Sequence, residues 1–152
     1  IKINEKSYGE TGLNAAIAGY YNVPVVMISG DDVLREEALD ILPHVEFAMT
    51  KERKSFSAGK MLNTAKTKEQ IKEKVQKGLL KKDKLETFNL GESLKVEIKV
   101  KSPQQADVIE IIPGIKRISP TIVTYNAKDI LEVGDIINTI SNACCVLYIG
   151  LF

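Results

Sequence analysis

The sequence predicts an α/β protein, with parallel strand–helix units in its N-terminal part and an α+β C-terminal part built on antiparallel strands. Three stretches carry that expectation. Val23-Pro24-Val25-Val26-Met27-Ile28 is a continuous apolar run rich in β-branched residues, as in a strand buried on both faces of a parallel sheet. The turn Ser29-Gly30-Asp31-Asp32 follows, and then Val33, Leu34, Ala38, Ile41 and Leu42 recur at helical spacing. Farther on, Leu94, Val96, Ile98 and Val100 alternate with Lys95, Glu97, Lys99 and Lys101, the pattern of a half-exposed, antiparallel strand.

Bulk properties narrow the class. A chain of 152 residues is long enough to bury a core as one domain, or one domain with an appendage. Apolar content of 44% and charged content of 27% are those of a globular protein. A net charge of +1 argues against a strongly charged partner overall. No apolar run reaches the roughly 20 residues that span a bilayer, so no membrane association is expected. Cys144 and Cys145 are adjacent, which fits neither a redox pair nor a zinc knuckle. They are expected as buried thiols in a reducing, cytoplasmic setting.

In chain order, Ile1-Lys2-Ile3 resembles the end of a strand and Asn4-Glu5-Lys6-Ser7 a turn. Gly9 to Tyr21 reads as a helix of small residues, able to lie close to a neighbouring element. Glu10 in its first turn is favoured by the helix dipole or serves at the N-terminal cap. The strand from Val23 and a helix from Asp32 to Leu42 come next. Asp31 and Asp32 lie beyond the carboxyl end of that strand, where open α/β sheets bind ligands, and at least one of them is expected to cap the helix. His44, the only histidine, follows Pro43 in a turn and reads as polar surface before a strand over His44 to Thr50.

Residues 51–84 carry twelve cations against four anions. A helix over Ala65 to Leu80 places Ile71, Val75 and Leu79 on one stripe. Lysines neutralise phosphates without reading sequence, but Phe56 is the one aromatic in the run and offers no stacking platform. A solvated amphipathic helix is expected there, and no nucleic acid. Beyond a linker at Leu85 to Glu92 and the alternating strand, Ser102-Pro103 opens a helix with serine as its cap. Pro113-Gly114 ends it, and Ile118 to Tyr125 reads as a strand. Asn126 is expected to cap a last helix, with Asp129 in its first turn and Ile130, Val133, Ile137, Ile140, Cys144 and Leu147 on one stripe.

The run GETGLNAAIAGYYNVPVVMISGDD, with Glu36-Glu37-Ala38, Leu42-Pro43, Pro113-Gly114 and Tyr125-Asn126-Ala127-Lys128-Asp129-Ile130-Leu131-Glu132, resembles the M55 family of metallopeptidases, the D-aminopeptidases of the DppA type. The resemblance implies hydrolytic release of an N-terminal D-amino acid from short peptides. It implies two zinc ions sharing a water or hydroxide, which would lower its pKa and polarise the scissile carbonyl. Glu10 occupies the place of a glutamate that ligates one of them. Asn14, one turn on, faces the same side of the helix and is a candidate substrate contact, as are Asp31 and Asp32. Large ring assemblies are also implied, hence a homo-oligomer.

The resemblance also exposes departures. Family members open with an Asp-x-Glu pair and several histidines, which this sequence does not contain in that form. The chain, which begins at Ile1, therefore reads as the C-terminal part of a longer protein, completed by a missing N-terminal segment or by another chain. Residues 1–50 would end the α/β metal-site domain, and 51–152 would hold the basic helical segment and an α+β domain. No catalytic residue is assigned within the chain. Glu10, Asp31 and Asp32 alone would suit Mg²⁺ or Mn²⁺ better than zinc, which prefers His and Cys. Where members often carry Ile-Ser-Arg, this chain has Lys54-Ser55-Phe56, with Arg53 as the nearest cation. A non-catalytic scaffold or a degenerate family member is the alternative reading.

Overall fold

Asn4 and Glu5 both have positive φ, 47° and 71°, which is the backbone of a type I′ turn and matches the twist of two antiparallel strands. The expected turn is therefore the tip of a hairpin, β1 (Lys2–Ile3) and β2 (Lys6–Ser7), with Ile3 opposite Lys6. The computed structural model describes the backbone of residues 1–148 and side chains as far as Cys144. The expected roles of Cys145 and Leu147 lie outside the described residues.

The remaining elements follow in order. They are α1 (Glu10–Tyr20), β3 (Met27–Gly30), α2 (Asp32–Ile41), β4 (Glu46–Met49), β5 (Lys51–Arg53), β6 (Gly59–Met61), α3 (Thr64–Leu80), β7 (Leu94–Lys99), α4 (Pro103–Ile109), β8 (Lys116–Ser119), β9 (Ile122–Ala127) and α5 (Ile130–Tyr148). Two compact units share them. One comprises residues 1–13 and 90–152, and the other residues 14–89. The boundary expected near residue 50 falls inside the second unit, because β3 and β4, on either side of α2, pair with each other and α3 packs on β4.

The first unit is an antiparallel five-stranded sheet in the order β2-β1-β7-β9-β8. The first strand thus belongs to this sheet, not to a parallel element spanning residues 1–50, because Ile3 pairs with Val96 of β7. The alternation in β7 works as its pattern requires, with Leu94 and Val96 buried and Lys95 exposed. A core of Ala106, Ile109, Ile115, Val123 and Ile140 joins α4 and α5 to the sheet. Ser102 caps α4, accepting from the Gln105 N–H at 3.4 Å, and Pro103 takes the first helical position.

Two expectations for this unit change. The single strand over Ile118 to Tyr125 is a hairpin, β8 and β9, turning at Pro120-Thr121, since proline has no N–H to give the ladder. The Arg117 guanidinium pins that hairpin to α4 through Asp107 and donates to the Pro120 carbonyl at 2.7 Å. The cap of α5 is Asp129 and not Asn126, because β9 continues to Ala127 with Asn126 opposite Lys95. The Asp129 Oδ1 accepts from the Glu132 N–H at 3.0 Å, and the Glu132 carboxylate accepts from the Lys128 N–H and the Tyr125 hydroxyl, both at 2.6 Å. Removing the cap in Asp129→Ala is expected to lower stability by about 1 kcal/mol, read as a lower urea midpoint with unchanged slope. Cys144 is half-buried against the core and not fully enclosed as expected.

The second unit holds the parallel pair β3 and β4, in register from Met27 opposite Glu46 to Gly30 opposite Met49. The strand expected from Val23 begins only at Met27. The reason lies in how α1 stops. Val23 donates to the Ala18 carbonyl and Asn22 to that of Gly19, both at 2.9 Å, with Asn22 at φ 58°. This is a Schellman ending with asparagine in the left-handed position, and it directs 23–26 out of the helix before pairing starts.

Segment 51–62 folds into the hairpin β5–β6, which no periodicity in the sequence announced. Phe56 sits in its loop, 95% exposed. α3 is the expected helix, capped by Asn63, whose Oδ1 accepts from the Lys66 N–H; Leu79 of the expected stripe is exposed, and Gly78 is buried in its place against Val26. Lys74 of this helix and Lys81, the residue that caps its C-terminus, are not merely solvated. Lys74 and Lys81 both hold the Glu46 carboxylate on β4, Lys74 at 2.8 Å. Among the described residues, no helix is long and apolar enough to cross a membrane.

Candidate functional site

Glu10 is the first residue of α1 and is exposed. The Leu13 N–H is taken by the Gly9 carbonyl at 3.2 Å, so the backbone of Gly9 begins the helix. No hydrogen bond or ion pair engages the Glu10 carboxylate among the described residues, so of its two local readings the dipole effect remains and a capping bond does not. Asn14, one turn along the same helix, is also exposed. The buried side of the helix is made of small residues, Gly12, Ala15, Ala16 and Gly19. A Cβ on Gly19 would lie 1.9 Å from the Phe88 carbonyl oxygen.

The two aspartates beyond β3 have separate tasks. Asp31 caps α2, with Oδ1 accepting from the Leu34 N–H at 2.9 Å. Asp32 accepts from the Arg53 N–H at 2.8 Å and so fastens β5 beside the start of α2. That backbone hydrogen bond holds the Asp32 carboxyl below its usual range. Thr50 reinforces the same corner, its N–H and hydroxyl both meeting the Gly30 carbonyl, at 2.8 and 3.1 Å. His44 is exposed beside a crevice of about 210 Å³, which Leu42, Val45, Glu86 and Phe88 also line.

Among the described residues, no group of three His, Cys, Asp or Glu side chains is placed to hold a metal ion. Zinc sites take three or four protein donors, often His or Cys. Glu10 supplies one carboxylate, and the acids at 31 and 32 are engaged in folding contacts. The donor set described here therefore does not by itself fit a two-zinc centre. Lys51 and Arg53 lie beside Asp31 at the carboxyl ends of β3 and β4; the sequence named Arg53 only as the cation nearest the family's arginine and did not single out Lys51. Nothing in a basic run singles out Lys51; β5 follows β4 after Thr50, and the Arg53 N–H bond to Asp32 holds it beside the start of α2.

Comparison with known proteins places this α/β chain among the peptidases. It belongs to the M55 peptidase family, whose model, described as D-aminopeptidase, matches residues 1–139. A D-aminopeptidase of Bacillus subtilis (strain 168) is 38% identical over 131 residues, covering 86% of this chain and 48% of that protein. A solved structure described as the Zn-dependent D-aminopeptidase DppA from Bacillus subtilis, a self-compartmentalizing protease, superposes with a TM-score of 0.88 at 35% identity. It covers 93% of this chain and 52% of its own. The chain thus spans about half the length of these relatives.

Proposed function

We propose that this chain is the Glu10-bearing part of a zinc-dependent aminopeptidase that releases a D-amino acid from the N-terminus of short peptides. One observation carries the reading. Glu10 stands at the head of α1 within Gly9-Glu10-Thr11-Gly12-Leu13-Asn14-Ala15, exposed and without a partner among the described residues, in a chain of the M55 family. In this reading Glu10 is a metal ligand, and the other donors come from residues outside those described. Asn14 meets substrate from the same side of the helix. The working protein is a cytoplasmic homo-oligomer, in keeping with the self-compartmentalizing relative.

A second reading has specific support. His44 is the only imidazole, and Phe56 stands where family members often carry arginine. A degenerate family member or a scaffold would tolerate both.

One experiment separates them. The gene product that carries this chain, expressed whole, is assayed with D-alanyl and L-alanyl dipeptides, and its zinc is measured by elemental analysis. The expected result is D-selective hydrolysis, lowered at least about 100-fold in Glu10→Gln, since even outer-shell changes at metal sites cost 10–100-fold. The 152-residue chain alone is expected to be inactive. A whole product without zinc and without hydrolysis would favour the scaffold.

A further inference from the structure

The corner where β3 and β4 end is an open depression, and its lining includes Gly30, Asp31, Glu37, Thr50, Lys51 and Arg53. We infer that it is a subsite for the free carboxylate of a short peptide, received by Lys51 and Arg53. The choice of peptide as ligand rests on the peptidase reading above; the carboxylate chemistry does not.

Ligands of open α/β sheets bind outside the carboxyl ends of parallel strands. Gly30 is the last residue of β3 and Thr50 follows the last residue of β4. The cations themselves are available. Lys51 and Arg53 are two residues apart on β5, so their side chains leave the strand on the same side. Both are exposed, and neither meets a carboxylate among the described residues. Among the described residues the Arg53 side chain donates only through Nε, to the Ser55 carbonyl at 3.4 Å. Its terminal nitrogens keep the fork that suits a planar carboxylate.

Asp31 and Asp32 accept from the Leu34 and Arg53 N–H groups, so the end of α2 is already capped and is not what receives the ligand. The bond to Asp32 also fixes the backbone from which the Arg53 side chain projects. Glu37 lines the same depression as an exposed carboxylate. Glu37 and Asp31 together offset the charge of the two cations, which penalises a multiply charged anion such as phosphate more than a monocarboxylate. Val33 and Met61, both exposed large hydrophobics on the rim, offer contact for the side chain next to that carboxylate.

The test uses the 152-residue chain in the presence of a metal chelator. Its backbone amides are followed by NMR during titration with D-alanyl-D-alanine, its C-terminal amide, acetate and inorganic phosphate. Shifts at Gly30, Thr50 and Arg53 are expected with the free acid. Binding of the amide, or of the acid to Lys51→Gln/Arg53→Gln, is expected to be at least about tenfold weaker. Both substituted positions are exposed, so unchanged spectra elsewhere report an intact fold. Equal binding of acid and amide, no shifts at this corner, or phosphate binding tighter than acetate overturns the subsite. Hydrolysis by the whole gene product judges the peptidase reading separately. If it cleaves acid and amide substrates with equal KM, the subsite falls and the peptidase stands. If it cleaves neither, the peptidase reading falls and the acetate titration still decides the subsite.

Discussion

Gly19→Val is expected to destabilise the protein by about 4 kcal/mol, at the upper end of what one substitution does. A Cβ at residue 19 would sit 1.9 Å from the Phe88 carbonyl oxygen and 2.7 Å from its carbon. Both obstacles are backbone, so no rotamer change relieves them. Gly19→Ala makes the competing effects explicit. Alanine in a helix gains about 1 kcal/mol over glycine, yet the same Cβ is present, and a net loss is expected. Gly91→Ala is the control. Nothing lies within 4 Å of its added carbon, and only the positive φ of 77° opposes it, at a cost of about 1–2 kcal/mol. Urea unfolding of the three variants checks the order. A Gly19→Val midpoint equal to that of the wild type would mean that α1 does not approach the 88 backbone as described.

The ion cluster on Glu46 is expected to shape the acid limb of stability. Its hydrogen bonds to Lys74 and Lys81 lower the carboxyl from 4.5 to about 2. A group depressed on folding stabilises the native state when ionised. That contribution is complete above the unfolded value of 4.5 and is lost as pH falls toward about 2. Its ceiling follows from ~1.36 kcal/mol per pKa unit, or about 3 kcal/mol. The side chain is 15% exposed and its lysine partners 28% and 36%, so solvent screening lowers the gain to about 2 kcal/mol. Glu46→Gln should therefore lose about that much at neutral pH and flatten the stability profile between pH 4.5 and 2. An acid limb with the same slope in both proteins would show that the lysines contribute nothing to it.

How much was legible depended on whether local chemistry or distant pairing decided each element. The cap at Ser102 acts within three residues of itself, so side-chain type alone exposes it. α3 and β7 have strong periods, 3.6 and 2, and emerged within a residue or two of the expected bounds. Strand starts and cap positions were harder. Whether Asn126 ends a strand or begins a helix depends on Lys95, thirty-one residues earlier in the chain. The hairpin β5–β6 is three residues a side, too short for any pattern to declare itself.

The candidate site divides the same way. Glu10 was singled out by a contiguous motif on one helix, and the structure places it exposed at the head of that helix. Asp31 and Asp32 were legible as a pair beyond a strand but not as individuals, since only the fold brings the Arg53 N–H to Asp32.

The sequence by itself determined the α/β class, the family, the helix with Glu10 at its head and the buried face of β7. Those follow from side-chain type and short periods, which every turn of helix or pleat of strand repeats. Only the tertiary structure decided that the first strand joins the C-terminal sheet, that Lys74 and Lys81 are committed to Glu46, and that Lys51 and Arg53 stand at the ends of the parallel strands. Each of those depends on which distant backbones pair, and pairing is selected by the packing of the whole chain rather than by any stretch within it.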